Sequence, residues 1–158
     1  GCEKAADISS PVRYEKDNIS FSYPQNWKVT EDVAQQGVRY LFVESPGDAI
    51  FIAQIYAKPD AVSFSEFVEW FSSQSKEETP IGNIGESSFS DIEETTFSPG
   101  IEEMFSISVL GEKVPHIRKY YIKESSNKVT FLIVQTATED LGKVEPGFNL
   151  ILRSFIIE

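Results

Sequence analysis

One cysteine, one histidine and one methionine occur among the 158 residues. Zinc sites need several Cys or His ligands, which this chain cannot supply. A disulfide framework is excluded as well. Neither a G-x-x-x-x-G-K-[ST] nor a G-x-G-x-x-G phosphate loop occurs, and no G-x-S-x-G elbow accompanies the histidine. No apolar run approaches the roughly 20 residues that span a bilayer. Positive charge is scarce too: 14 Lys and Arg stand against 25 Asp and Glu, a net charge of −11. Such a balance repels phosphate backbones, so nucleic acid is not an expected partner.

What remains is a chain able to bury a core. Its hydrophobic content is 41% with 13% aromatics, far from the disordered class, and its length suits one domain. Ile19, Phe21 and Tyr23 alternate with polar Asn18, Ser20 and Ser22, the period-two pattern of a half-buried strand. Pro24 stops that strand, and Trp27 to Thr30 restarts an apolar run before polar Glu31 to Gln36. Val12–Lys16 and Ile19–Tyr23 flank Asp17-Asn18 as a tight hairpin. Val38 to Glu44 and Ala49 to Ala57 form a second hairpin around Ser45-Pro46-Gly47-Asp48, and the latter strand is apolar on both faces.

A helix is announced by a capping box at Ser63 and Glu66 and a staple of Val62 with Phe67. Phe64, Phe67, Val68 and Phe71 form its apolar face, with Trp70 at the rim; it fades over Ser72 to Glu78. Strands are expected at Phe89 to Phe97, Ile101 to Leu110, Val114 to Lys123 and Lys128 to Thr136. The second and third are joined through Leu110-Gly111-Glu112-Lys113. Pro146 reads as the first turn of a last helix carrying Phe148, Ile151, Leu152 and Phe155. The pattern predicts an α+β fold with an antiparallel sheet.

The run from Phe21, Tyr23, Pro24 and Trp27 to the closing Phe148, Ile151, Leu152, Arg153, Ser154 and Phe155 resembles the PsbP/Mog1-like superfamily, from about residue 14 to the end. The resemblance implies a central antiparallel β-sheet flanked by helices, an α-β-α sandwich. Members include photosystem II extrinsic subunits, a Ran-binding nuclear factor and many bacterial lipoproteins. It implies a binding or assembly protein rather than an enzyme, and transfers no catalytic or cofactor-binding residue.

Gly1-Cys2 followed by a polar stretch is similar to the processed end of a bacterial lipoprotein. On that reading Cys2 is the lipid anchor, residues 1–11 are a tether and 12–158 a single domain, outside the cytoplasm and held to the membrane through the anchor alone. His116, the one histidine, is conceivable as a triad base; a surface histidine on a strand is the plainer account. Asp91 and Glu93, with Glu94 pointing away and Glu102-Glu103 opposite, are the candidate ligands for a hard cation such as Ca²⁺ or Mn²⁺. A solvated acidic edge, which blocks sheet-to-sheet aggregation, is the plainer account. Asn18-Ile19-Ser20 is a glycosylation sequon, relevant only in a eukaryotic secretory setting. Trp70, Tyr120 and Tyr121 are candidates for a partner surface, the two tyrosines pointing to opposite faces of their strand, and core packing explains them equally well. The expectation is a tethered binding or assembly domain with a protein partner and no cofactor. The alternatives are a small-ligand or cation carrier and, behind it, a hydrolase.

Overall fold

The computed structural model describes residues 3–78, 83–93 and 99–158. Two strands, β1 (Val12–Lys16) and β2 (Ile19–Tyr23), form the first hairpin, turning through Asp17 and Asn18 with φ of 46° and 69°. They belong to a separate three-stranded sheet, not to the central one. Its third strand, β11 (Ile156–Ile157), lies antiparallel to β2 and is too short for the sequence pattern to show.

The main sheet starts at β3 (Lys28–Gln35), twice the expected length. Its polar half, read as a loop, is an edge strand whose outer side faces water. A bulge between Val29 and Glu31 breaks the alternation that would have revealed it. Strands β4 (Val38–Glu44) and β5 (Ile50–Ala57) follow as predicted. Helix α1 (Phe64–Glu78) begins where the Ser63 hydroxyl accepts the Glu66 N–H at 3.3 Å. Val62 is 49% exposed, so the staple adds little, and Ser72 to Glu78 remain helical.

The short β6 (Asn83–Ile84) went unpredicted, and β7 (Ser88–Ile92) covers the first part of the strand expected at Phe89 to Phe97. Residues 94–97 of that expectation lie outside the described residues. Strands β8 (Gly100–Val109), β9 (Glu112–Glu124) and β10 (Lys128–Ala137) complete the sheet, and β8 turns into β9 through Leu110-Gly111 alone. Helix α2 (Leu141–Ser154) starts five residues before Pro146, which sits inside it. The lost hydrogen bond would have gone to the Gly142 carbonyl, and both residues are exposed, so solvent can reach that carbonyl.

The strand order is β3-β4-β5-β10-β9-β8, with β6 and β7 one after the other along the outer edge of β8. The register assigns the two core layers. Leu132 and Val134 of β10 and Phe51, Ala53 and Ile55 of β5 face α2 and the small sheet. Phe131 and Ile133 face α1, where Phe67 stacks on Phe131 with ring centroids 4.0 Å apart. Each such ring buried contributes roughly 1.5–3 kcal/mol. The R-S-F ending now has a physical meaning: Ser154 Oγ accepts the Ser22 N–H at 2.8 Å, and Phe155 stacks on Phe21.

Residues 3–7 are not a free tether. The Glu3 carboxylate is buried in the β4–β5 turn, accepting from Ser45 Oγ at 2.8 Å, Gly47 N–H at 3.1 Å and Ala49 N–H at 3.2 Å. Ala6 N–H donates to the Lys143 carbonyl at 2.9 Å, and Asp7 N–H to Asn26 Oδ1 at 2.9 Å. Glycine makes the room: a Cβ on Gly47 would lie 2.5 Å from Glu3, and one on Gly147 2.9 Å from Ala6. A polar composition looked like a linker because its one anchoring acid reads like any solvated glutamate.

Candidate functional site

A helix about 10 Å across covers roughly two strands spaced about 4.8 Å apart. Helix α1 is centred on β10 and β9, through Phe131, Ile133 and Tyr120. The sheet continues to β8 and β7, and among the described residues nothing covers its helix-side face around Ile101, Phe89 and Asp91. The result is an open groove of about 370 Å³ between α1 and β7. Val68 and Ile101 line its floor, Phe89 and Ser90 its outer wall, and Ser65 and Glu69 its helix wall; Asp91 closes the set. Phe89 is 49% exposed although it shares a face with buried Glu103, its register partner. Glu69 and Asp91 have no ion-pair partner among the described residues.

Beside the groove lies a buried polar network that sequence reasoning missed. Glu103 accepts from Arg118 Nη1 at 2.8 Å, Tyr120 Oη at 2.5 Å, Ser72 Oγ at 2.6 Å, and also from Ser87 Oγ. Arg118 donates through Nε to Gln135 Oε1 at 2.8 Å, and its guanidinium lies 4.5 Å from the Phe105 ring centroid and 5.3 Å from that of Phe71. Burial pushes the Glu103 carboxyl up, but the three hydroxyl hydrogen bonds and the Arg118 charge outweigh it and hold it below the ordinary range. Burial likewise raises Tyr120; the Arg118 charge opposes this and the bond to Glu103 adds to it. Every oxygen of the carboxylate is committed to the fold. The network therefore ties α1, β8, β9, β10 and the segment before β7 into one unit, fixing the groove beside it.

The candidates from sequence land apart. Asp91 lines the groove and shares a face with Ile101, while Glu93 is exposed just past β7; Glu94 and Cys2 lie outside the described residues. Among the described residues no group of three or more His, Cys, Asp or Glu is placed to hold a metal ion. His116 stacks on Phe105, and its Nδ1 lies 2.9 Å from the Val114 carbonyl. Trp70 is 47% exposed, on the side of α1 away from the groove. Tyr120 and Tyr121 are 0% and 4% exposed and offer nothing to a partner, because β9 is central and both of its faces are covered.

No protein-family model matches the chain, and no curated protein does. Solved structures do. The solution structure of cyanobacterial PsbP from Synechocystis is 16% identical, with a TM-score of 0.55 over 100% of this chain and 98% of that one. The fold is PsbP-like. At that identity the likeness is one of architecture: an antiparallel sheet between helices, in an α+β chain. LpqN of Mycobacterium tuberculosis, described as involved in cell envelope biogenesis, is 14% identical with a TM-score of 0.44 over 94% of this chain and 89% of that one. The Pseudomonas aeruginosa protein PA94, of unknown function, is also 14% identical, with a TM-score of 0.43 over 94% and 97%. No helix of the described PsbP-like domain is long and apolar enough to cross a membrane.

Proposed function

We propose that this is a non-enzymatic binding domain, carried outside the cytoplasm on a lipid attached to Cys2, that receives a partner protein in the groove between α1 and β7. The observation carrying the reading is the groove's chemistry: an apolar floor of Val68 and Ile101 rimmed by the unpaired carboxylates of Glu69 and Asp91. Such a site favours a segment that presents a lysine or arginine beside an apolar side chain, because the rim charge attracts it and the floor desolvates its neighbour. An enzymatic reading draws no comparable support. Glu103 is sealed and saturated, and His116 is stacked on Phe105 with its Nδ1 at the Val114 carbonyl.

The test is a fluorescence-anisotropy titration with two labelled peptides of equal length, one alternating Arg with Leu and one alternating Glu with Leu. The cationic peptide binds, and the Glu69→Lys/Asp91→Lys double variant weakens it at least tenfold. Equal binding by the charge-reversed protein, or indifference to Phe89→Ser, would overturn the assignment.

A further inference from the structure

Leu110 is 100% exposed, and it is the most exposed of the large hydrophobic side chains in the described structure. Its backbone is in the left-handed region, φ 51°, beside Gly111 at 83°. Asn, Asp or Gly suit that position, whereas a leucine is strained there and its side chain gains no burial in return. The hairpin carrying it also projects. The last residue of β9 paired with β10 is His116, opposite Ala137, so Glu112 to Pro115 have only β8 beside them. At about 3.3 Å per residue the tip stands roughly 13 Å beyond the end of β10.

This tip shares its end of the molecule with the N-terminal arm. The β4–β5 turn that grips Glu3 leads into Ile50, whose register partner is Gln135 near the end of β10. Asp48 of that turn faces Ile107, Val109 and Val114 of the hairpin across one shared cavity. Cys2 precedes Glu3 directly, one residue spacing of about 3.8 Å away. Residues 3–7, which follow it, are pinned to this end of the domain.

We infer that the β8–β9 hairpin is a membrane-contacting tip: the domain stands on the bilayer by this end, with Leu110 entering the headgroup region. The inference rests on the lipid-anchor reading of Cys2. It unites a strained, fully exposed leucine with residues 3–7, pinned at the same end. The surface it fits is zwitterionic, because Asp48, Glu139 and Asp140 line the neighbouring cavity and repel anionic headgroups.

The experiment uses the acylated full chain in phosphatidylcholine–phosphatidylethanolamine vesicles. Acylation consumes the thiol of the single cysteine, so Leu110→Cys carries one environment-sensitive fluorophore, and Ser126→Cys, at the far end, carries the control. The expected result is a blue-shifted label at position 110, quenched by nitroxides in the bilayer, and a water-exposed one at 126. If both labels are equally open to iodide while the protein sediments with the vesicles, the tip inference falls and the anchor stands. Equal shielding of position 110 without vesicles would assign the tip to a protein contact instead. A precursor never acylated on Cys2 overturns both readings.

Discussion

The same three side-chain types, an arginine, a carboxylate and a tyrosine, are assembled twice in this fold, in different surroundings. Arg118, Glu103 and Tyr120 meet beneath α1, where the two charged side chains are 2% and 1% exposed. Arg39, Asp32 and Tyr14 meet where the first hairpin touches β3 and β4, with exposures of 16% and 9% for the ion pair. The outer pair is bidentate, Nε to Oδ1 at 2.8 Å and Nη2 to Oδ2 at 2.7 Å, and Arg39 also donates to the carbonyls of Asp17 and Lys16. It fastens the small sheet to the large one. Geometry is thus at least as good outside as inside, and burial is what differs. A buried pair contributes little net stability, since desolvation offsets attraction, yet it is costly to break. The inner trio is accordingly a constraint on how α1 sits against the sheet, and the outer one a clasp between layers.

The largest effect should come from breaking the inner trio on one side. Arg118→Met leaves Glu103 buried without its countercharge and should cost about 3–5 kcal/mol of unfolding free energy. That is a large share of the roughly 5–15 kcal/mol typical of a domain. The double variant Glu103→Leu/Arg118→Met should be the milder one, about 1–3 kcal/mol, reflecting the hydroxyls of Ser72 and Tyr120 left without an acceptor. Urea denaturation of the three proteins decides it. A double variant less stable than Arg118→Met would mean that the pair stabilises the fold outright.

How far this contrast was legible in the sequence depends on a single turn. A two-residue turn at Leu110-Gly111 places Glu103 opposite Arg118. The four-residue loop read from Leu110 to Lys113 would instead have set Glu103 against Tyr120, hiding the ion pair. Leucine is not a turn residue, so the chemistry gave no warning. Where turn residues matched their geometry, as at Asp17-Asn18, strands and register were legible; at Ser45–Asp48 the two strands were, but Glu44 pairs with Ile50, so the turn is one residue longer than its four turn residues suggest. Both core faces could also be read from alternation in β5 and β10, because central strands leave no ambiguity about what is buried. The groove could not be foreseen. It exists because one helix is narrower than the sheet, a property of tertiary width rather than of any local pattern. Glu3 escaped for the related reason that its partners, the Ser45 hydroxyl and two backbone amides, lie over 40 residues away.

The outer clasp provides the intermediate effect. Arg39→Met removes two charge-assisted bonds from Asp32 and two ties to the hairpin turn, but water can reach what is left. A loss of about 1–2 kcal/mol is expected. Amide exchange should quicken in β1 and β3 while α1 keeps its protection. Loosening of α1 to the same degree would show that the two trios are coupled, and the comparison between them would lose its basis.

The smallest effect is a matter of pH, and it separates the trios without disturbing their packing. Hydrogen bonds from Arg39 hold the Asp32 carboxyl below its ordinary range, against burial, with Tyr14 and the Arg39 charge adding to them. Glu103 is also held low, its hydrogen bonds and Arg118 outweighing burial. A carboxyl whose folded pKa is depressed stabilises the fold fully above its unfolded pKa, and the contribution is lost as pH falls through the folded one. Both trios therefore weaken below about pH 4, where unfolded Glu and then Asp take up protons first. Glu103→Gln and Asp32→Asn should each lower stability at pH 7 and flatten the decline between about pH 4 and pH 2. The Glu103 variant should begin to diverge at the higher pH, since unfolded glutamate titrates above aspartate. Urea midpoints at pH 7, 5, 4 and 3 measure this directly. If Glu103→Gln runs parallel to the parent protein through that range, then the buried carboxyl is already protonated at neutral pH, and the inner trio is a hydrogen-bonded cluster around a lone arginine charge.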